Sequence, residues 1–201
     1  MTMRLQPIVR IPQRTCVGHE LLIAHPRDTL NLVAQAGLLG ELDRYIVHTA
    51  RKLAQERQDY VFVNVTSELL NARSLPFDHR DSLRGLVLEI TERGRLDVEA
   101  AAAYLEPFRK RGLEVALDDL GTGYNGFSRW SVLRPEWIKA TWSEELLDFF
   151  PMLIAMARRL GARFIVERVE MPEQESWLVE LGVEYGQGFL YGRPIPLGAV
   201  S

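Results

Sequence analysis

Residues 86–119 read LVLEITERGRLDVEAAAAYLEPFRKRGLEVALDD. Leu86–Ile90 is nearly all apolar, as a strand covered on both faces must be. Val98–Arg109 then places Ala101, Ala102, Leu105 and Phe108 on one helical stripe. Gly112 follows, in the position of a helix-ending glycine. Glu114–Leu117 returns to an apolar strand and runs into Asp118 and Asp119. Strand, helix and strand at this spacing predict parallel neighbours joined by a crossover helix.

The same alternation continues outward in both directions. Apolar runs recur at Ile8–Ile11, Cys16–Ile23, Tyr60–Val65, Trp137–Ala140, Arg163–Val166 and Val183–Tyr185. Amphipathic stretches lie between them: Leu42–Gln55, with Leu42, Ile46, Thr49, Ala50 and Leu53 on one face, then Ser143–Leu160 and Glu173–Leu181. Gly161 and Gly182 close the last two. About seven or eight such units predict a closed β/α barrel. An open doubly wound sheet is the alternative, disfavoured because no glycine-rich dinucleotide fingerprint follows the first strands. With no repeat, linker or boundary in sight, the expectation is a single barrel domain over residues 1–201.

Composition narrows the function. The chain is 47% apolar and 25% charged, which is globular. Acids outnumber bases by 27 to 24, for a net charge of −3, so no DNA or RNA polymer is expected as a partner. Cys16 is the only cysteine, which excludes an internal disulfide and a cysteine-built zinc site and suits a reducing cytosol. The start, MTMRLQPIVR, lacks the apolar core of a signal peptide. The longest apolar stretch, around Phe149–Ala157, is broken by Pro151 and followed by Arg158 and Arg159, too short for a membrane span. A cytoplasmic protein without a membrane partner is the expectation.

Polar residues sit where the strands end. Glu20 lies in the second run, Asn64 in VFVNV, Glu89 in LVLEI with Glu92 just beyond. EVALDD ends on Asp118 and Asp119, WIKA carries Lys139, RFIVE ends on Glu167 with Glu170 beyond, and Gln187 follows Tyr185. Singly, an acid at a strand end is more often a helix cap or a solvated loop residue. Asn64 by itself reads as the lead-in to a short helix at Thr66–Leu70, and Lys139 as a surface lysine between inward-facing Ile138 and Ala140. The recurrence at one strand end after another argues otherwise, because in a β/α barrel those ends converge on the mouth where active sites are built. Acids gathered there need cations. Oxygen donors without cysteine suit hard ions such as Mg²⁺ or Mn²⁺. Paired aspartates suit two metals about 3.5–4 Å apart, the arrangement of metal-assisted phosphoester hydrolysis.

These motifs, taken in order, resemble the EAL domain family of bacterial cyclic di-GMP phosphodiesterases and receptors. They are GHELL (Gly18–Leu22), FVNVTSELL (Phe62–Leu70), LEITE (Leu88–Glu92), LDDLGTGYN (Leu117–Asn125), IKAT (Ile138–Thr141), VERVE (Val166–Glu170) and QGFLYGRPIP (Gln187–Pro196). The resemblance implies a TIM-like (β/α)8 barrel with one antiparallel strand, and hydrolysis of cyclic di-GMP to linear pGpG with two Mg²⁺ or Mn²⁺ ions. It implies Glu20, Asn64, Glu89 and Asp118 as ligands of the first metal. The second shares Asp118 and adds Asp119 and Glu167. Lys139 belongs by the attacking water or the scissile phosphate, and Glu92 holds the loop after Asp119. Glu170 completes the site, and Leu22, Arg168 and Gln187 face the substrate. A homodimer through the helix after Asp118-Asp119 and a regulatory protein partner are also implied. Trp130, Trp137 and Trp142 lie near that helix, where helix-to-barrel packing accounts for them more readily than an interface does.

The chain departs from the family pattern at several positions. Leu21 replaces the alanine of the signature, and Ala24 stands where an arginine contacts ligand phosphate. The segment after His25-Pro26 is trimmed. Thr141 replaces an aspartate, and Arg168 replaces a glycine. These changes keep a second reading open: a degenerate member that binds cyclic di-GMP as a receptor, or contacts a protein partner, without catalysis.

Overall fold

Eight strands close into a barrel through backbone pairing alone. The computed structural model describes residues 2–24, 26–91, 95–118 and 126–199. The strands are β1 (Met3–Arg10), β2 (Thr15–Ile23), β3 (Tyr60–Val65), β4 (Leu86–Thr91), β5 (Glu114–Asp118), β6 (Trp137–Thr141), β7 (Arg163–Glu167) and β8 (Tyr185–Gln187). From β2 to β8 each pairs with the next in parallel. β1 runs antiparallel to both β2 and β8 and closes the ring. A short β9 (Ile195–Pro196) pairs antiparallel with Arg4 and Leu5 of β1. The barrel is closed and mixed, with one extra strand; the open-sheet alternative is excluded.

The helices are α1 (Pro26–Gln35), α2 (Leu39–Arg57), α3 (Ser67–Asn71), α4 (Val98–Arg109), α5 (Gly126–Leu133), α6 (Phe150–Leu160) and α7 (Pro172–Glu180). Each has a local reason. α4 begins where the Asp97 side chain accepts from the backbone N–H of Ala100 at 3.0 Å. α3 begins where Thr66 accepts from Leu69 N–H at 3.2 Å. α6 ends at Gly161, whose φ of 73° few other residues adopt without strain.

Three sequence expectations need correction. The stretch Ser143–Leu160 is not one helix: a 3₁₀ segment at Glu144–Phe149 precedes α6. Pro151 lacks the N–H that a continuous helix would need there, so the α-helix restarts with proline in its first turn. The last parallel strand is Tyr185–Gln187 rather than Val183–Tyr185, so Gln187 lies inside the sheet. The first strand starts at Met3 rather than Ile8, because Arg4 and Gln6 alternate with Leu5 and break the apolar run without breaking the ladder.

The side chains pack in two clusters divided by the sheet. Inside the barrel lie Ile8, Phe62, Val87, Ala116, Trp137, Ile165 and Tyr185. Outside, Val61, Leu88, Ile90, Val115, Ile138 and Ala140 pack with helix residues such as Val47, Ala50, Leu105 and Ile154. Trp137 fills the interior, edge-on to Phe62 and Tyr185 with centroids 5.1 Å apart in both pairs. The floor beneath it is plugged. The Arg163 guanidinium lies 3.8 Å from the Trp137 ring centroid and pairs with Glu114, which also accepts from the Trp137 indole N–H at 2.6 Å. Trp130 and Trp137 are buried within the fold, and half-buried Trp142 packs on Trp177 with centroids 5.3 Å apart. All three serve packing.

Gly18 shows how tightly β2 meets β3. A Cβ there would sit 2.4 Å from the Tyr60 carbonyl oxygen, a backbone atom that cannot swing aside.

Candidate active site at the barrel mouth

Strand alternation builds the site. Phe62, Val87, Ala116, Trp137, Ile165 and Tyr185 point inward. Two residues further along each strand, Asn64, Glu89, Asp118, Lys139, Glu167 and Gln187 point inward as well, one layer nearer the mouth. Glu20 joins them from β2. On the antiparallel β1 the matching position is Gln6, which the ladder places opposite Glu20. Gln6 went unnoticed in the sequence because it precedes the apolar run; alternation backward from Ile8 would have found it.

Lys139 is the hub. It is fully buried, not a surface lysine, and Ile138 and Ala140 face outward to the helices instead. Its Nζ lies 2.6 Å from Glu89 Oε1, 2.7 Å from Glu167 Oε1 and 3.3 Å from Glu20 Oε2. The Asn64 amide nitrogen donates to Glu20 Oε1 and Glu89 Oε2, each at 3.1 Å, so Asn64 serves the site and not the start of α3. Gln187 Nε2 donates to Glu20 Oε2 at 2.6 Å and to Gln6 Oε1 at 3.3 Å. Thr141 Oγ1 stands 3.5 Å from Glu167 Oε2.

Three carboxylates, Glu20, Glu89 and Glu167, pair with one ammonium, and their proton affinities show the strain. Burial holds Glu89 well above the usual carboxylate range, and the negative charge of Glu20 adds to it. Burial also pushes Glu167 up to about 7, although Lys139 opposes it. Burial opposes the charge on Glu20, yet Glu20 ends below its ordinary value through the Lys139 charge and hydrogen bonds with Gln187, Glu89 and Lys139. Burial opposes the charge on Lys139, but Glu167, Glu20, Glu89 and Asp118 raise its pKa well above normal, so it stays an ammonium ion.

Above this layer opens a pocket of about 520 Å³, lined by Glu20, Leu22, Asp118, Glu167, Arg168, Glu170, Gln187 and Phe189 among others. Arg168 is its only cationic wall residue among the described residues, exposed and held at φ 56°. The segment that carries it is pinned: Val169 N–H donates to Gln187 O at 3.0 Å, and the Gln174 side chain accepts from Glu170 N–H at 2.7 Å. Ala24 is buried, and its N–H donates to Thr2 O at 2.9 Å. Asp119 and Glu92 lie outside the described residues.

The donor set fits hard divalent cations. All the acidic groups offer oxygen, their charge exceeds that of Lys139, and Gln187 Oε1 is buried without a hydrogen-bond partner. Among the described residues no three His, Cys, Asp or Glu side chains already stand in a ligating group. Lys139 sits where the carboxylates converge, and ligation by Asn64 needs its amide turned so that Oδ1 replaces Nδ2. Among the described residues no helix is long and apolar enough to cross a membrane.

Comparison with known proteins agrees with this geometry. The "Probable cyclic di-GMP phosphodiesterase PdeB" of Escherichia coli (strain K12) is 31% identical over 216 residues, covering 95% of this chain and 42% of that protein. The chain thus spans less than half the length of this curated relative. The PaMucR phosphodiesterase, solved as a c-di-GMP complex, superposes with a TM-score of 0.80 at 27% identity, covering 98% of this chain and 97% of that one. An EAL domain protein from Listeria monocytogenes EGD-e gives a TM-score of 0.81 at 20% identity, covering 98% and 89%. The sequence model of one family, described as EAL domain, matches residues 1–194. With the ordered motifs, the closed mixed barrel and the acidic mouth all in agreement, the chain belongs to the EAL domain family.

Proposed function

We propose that this barrel, a single domain acting in the bacterial cytoplasm, hydrolyses one phosphodiester bond of cyclic di-GMP to give linear pGpG. The observation that carries this is the convergence of Glu20, Asn64, Glu89, Asp118 and Glu167 on buried Lys139 at the floor of an open pocket. EAL domains are metal-dependent. In this reading Glu20, Asn64, Glu89 and Asp118 hold one Mg²⁺ or Mn²⁺, and Asp118, Asp119 and Glu167 hold a second. When bound, the ions supply Lewis-acid polarisation of the phosphodiester and of the attacking water. Lys139 keeps its charge beside that water and the developing oxyanion. Gln187 orients Glu20, while Leu22 and Phe189 offer apolar walls for the nucleotide.

Incubation with cyclic di-GMP and Mn²⁺, followed by chromatography for pGpG, tests the reading. Binding without product would support the receptor reading instead, and neither would support a protein-interaction role. Thr141 is the observation that favours the receptor: a hydroxyl stands beside Glu167 where a carboxylate would add metal affinity. Thr141→Asp is accordingly expected to raise turnover at fixed Mn²⁺ by about tenfold, ~1.4 kcal/mol off the barrier. An unchanged rate would remove position 141 from the metal assignment.

Among the described residues Arg168 is the wall cation for a diester bearing two negative charges. A charge-assisted hydrogen bond is worth about 1.5–3 kcal/mol. Arg168→Ala should therefore weaken cyclic di-GMP binding about ten- to a hundredfold, with most of the loss in KM rather than kcat. Isothermal titration with the nucleotide reads this directly; unaltered affinity would place the guanidinium away from the phosphates.

A further inference from the structure

We propose that Cys16, His19 and Asp59 form a thiol–disulfide exchange site on the outer face of β2, taking a low-molecular-weight disulfide into the adjoining cleft. The site lies outside the barrel interior and uses none of the groups at the mouth.

A local irregularity brings the three together. Residues three apart on a regular strand face opposite sides. Between β1 and β2 the ladder pairs Ile8 with Gly18 but Val9 with Cys16, so Val17 is an extra residue on β2. A bulge of this kind shifts the alternation and re-aims a side chain. Cys16 Sγ consequently stands 3.7 Å from His19 Nε2, while its thiol donates to the Gly18 carbonyl oxygen at 3.3 Å. His19 Nδ1 lies 3.0 Å from Asp59 Oδ2, and since a carboxylate can only accept, Nδ1 carries a hydrogen and Nε2 faces the sulfur. Arg57 Nε also donates to Asp59 Oδ2, at 3.3 Å, which fixes the carboxylate. Nucleophile, proton partner and orienting carboxylate thus stand in sequence.

Access and room are present. Cys16 is exposed. Beside it opens a cleft of about 880 Å³, within the roughly 300–1,000 Å³ range of small-ligand sites, and lined by Cys16, Gln58, Asp59, Tyr60 and Arg84 among others. The Arg84 guanidinium and the Gln58 amide offer donors to the carboxylates of a peptidic disulfide.

The exchange balances without a further oxidant. As Sγ attacks one sulfur of the disulfide, the thiol proton passes to His19 Nε2. The bond from Cys16 forms as the old S–S bond breaks, and the departing thiolate takes the proton from His19. Cys16 is oxidised into a mixed disulfide, and half of the reagent is reduced to free thiol.

The test is incubation with oxidised glutathione, followed by intact-mass measurement and peptide mapping. One glutathionyl adduct on Cys16 is expected, forming about tenfold faster in the folded protein than in the same chain unfolded in urea. His19→Gln and Asp59→Asn, each checked for native circular dichroism, should remove most of that advantage. If His19→Gln does not fold, Asp59→Asn and the folded-to-unfolded ratio decide. A folded rate no greater than the unfolded one, or an unchanged rate in a folded variant, overturns the proposal.

Discussion

Glu20→Gln is expected to reduce hydrolysis of cyclic di-GMP by about 10³-fold or more, ~4 kcal/mol of lost transition-state stabilisation. The substitution keeps the shape of the side chain and removes its charge. The surroundings of Glu20 favour its ionisation against burial, while burial raises both Glu89 and Glu167. In the proposed assignment it is therefore the anionic ligand most ready for a cation. The amide also disturbs its neighbours. Glu20 accepts from Asn64, Gln187 and Lys139, and a glutamine must turn its own NH₂ toward at least one of these donors. That mismatch should cost about 1–3 kcal/mol of stability. Chromatography of pGpG and thermal unfolding without metal read the two effects separately. Turnover close to that of the unaltered protein would sink the metal assignment.

Much of this site was legible because strand ends and residue type carry it. Glu20, Asn64, Glu89, Asp118, Lys139, Glu167 and Gln187 stand out as polar residues at the ends of apolar runs, and a parallel barrel sends those ends to one place. What the runs hide is the second face of each strand. Lys139 reads equally well as inward or outward until the ladder shows Ile138 and Ala140 packed under the helices. Gln6 was hidden because β1 is antiparallel, so its mouth-facing end comes before the apolar run and not after it. Helix α1 was missed. Cys16 and His19 were unreadable as a pair, since their spacing predicts opposite faces and only the extra residue at Val17 joins them.

The charge imbalance at the mouth makes Lys139→Met the most severe single change expected in the molecule. Methionine matches the length and hydrophobicity of the lysine stem, so the loss is one of charge rather than volume. The ammonium is fully buried, and Glu20, Glu89 and Glu167 all pair with it. Without it these carboxylates face one another and Asp118 in a desolvated layer. Breaking a buried pair from one side typically costs about 3–5 kcal/mol, and here three pairs go together. Hydrolysis should fall by about 10²–10³-fold, since the charge beside the reacting phosphate is gone as well. A simple packing role for Lys139 predicts a different outcome once Mn²⁺ is added. If the carboxylates are ligands and the lysine is their resident counter-charge, Mn²⁺ should raise the Tm of Lys139→Met by more than it raises that of the unaltered protein, because ligation gains what the ammonium formerly supplied. Stability would then return with metal while turnover did not. Equal Mn²⁺ shifts in both proteins would mean that these acids do not hold the ion, and the buried lysine would then be explained by the fold alone.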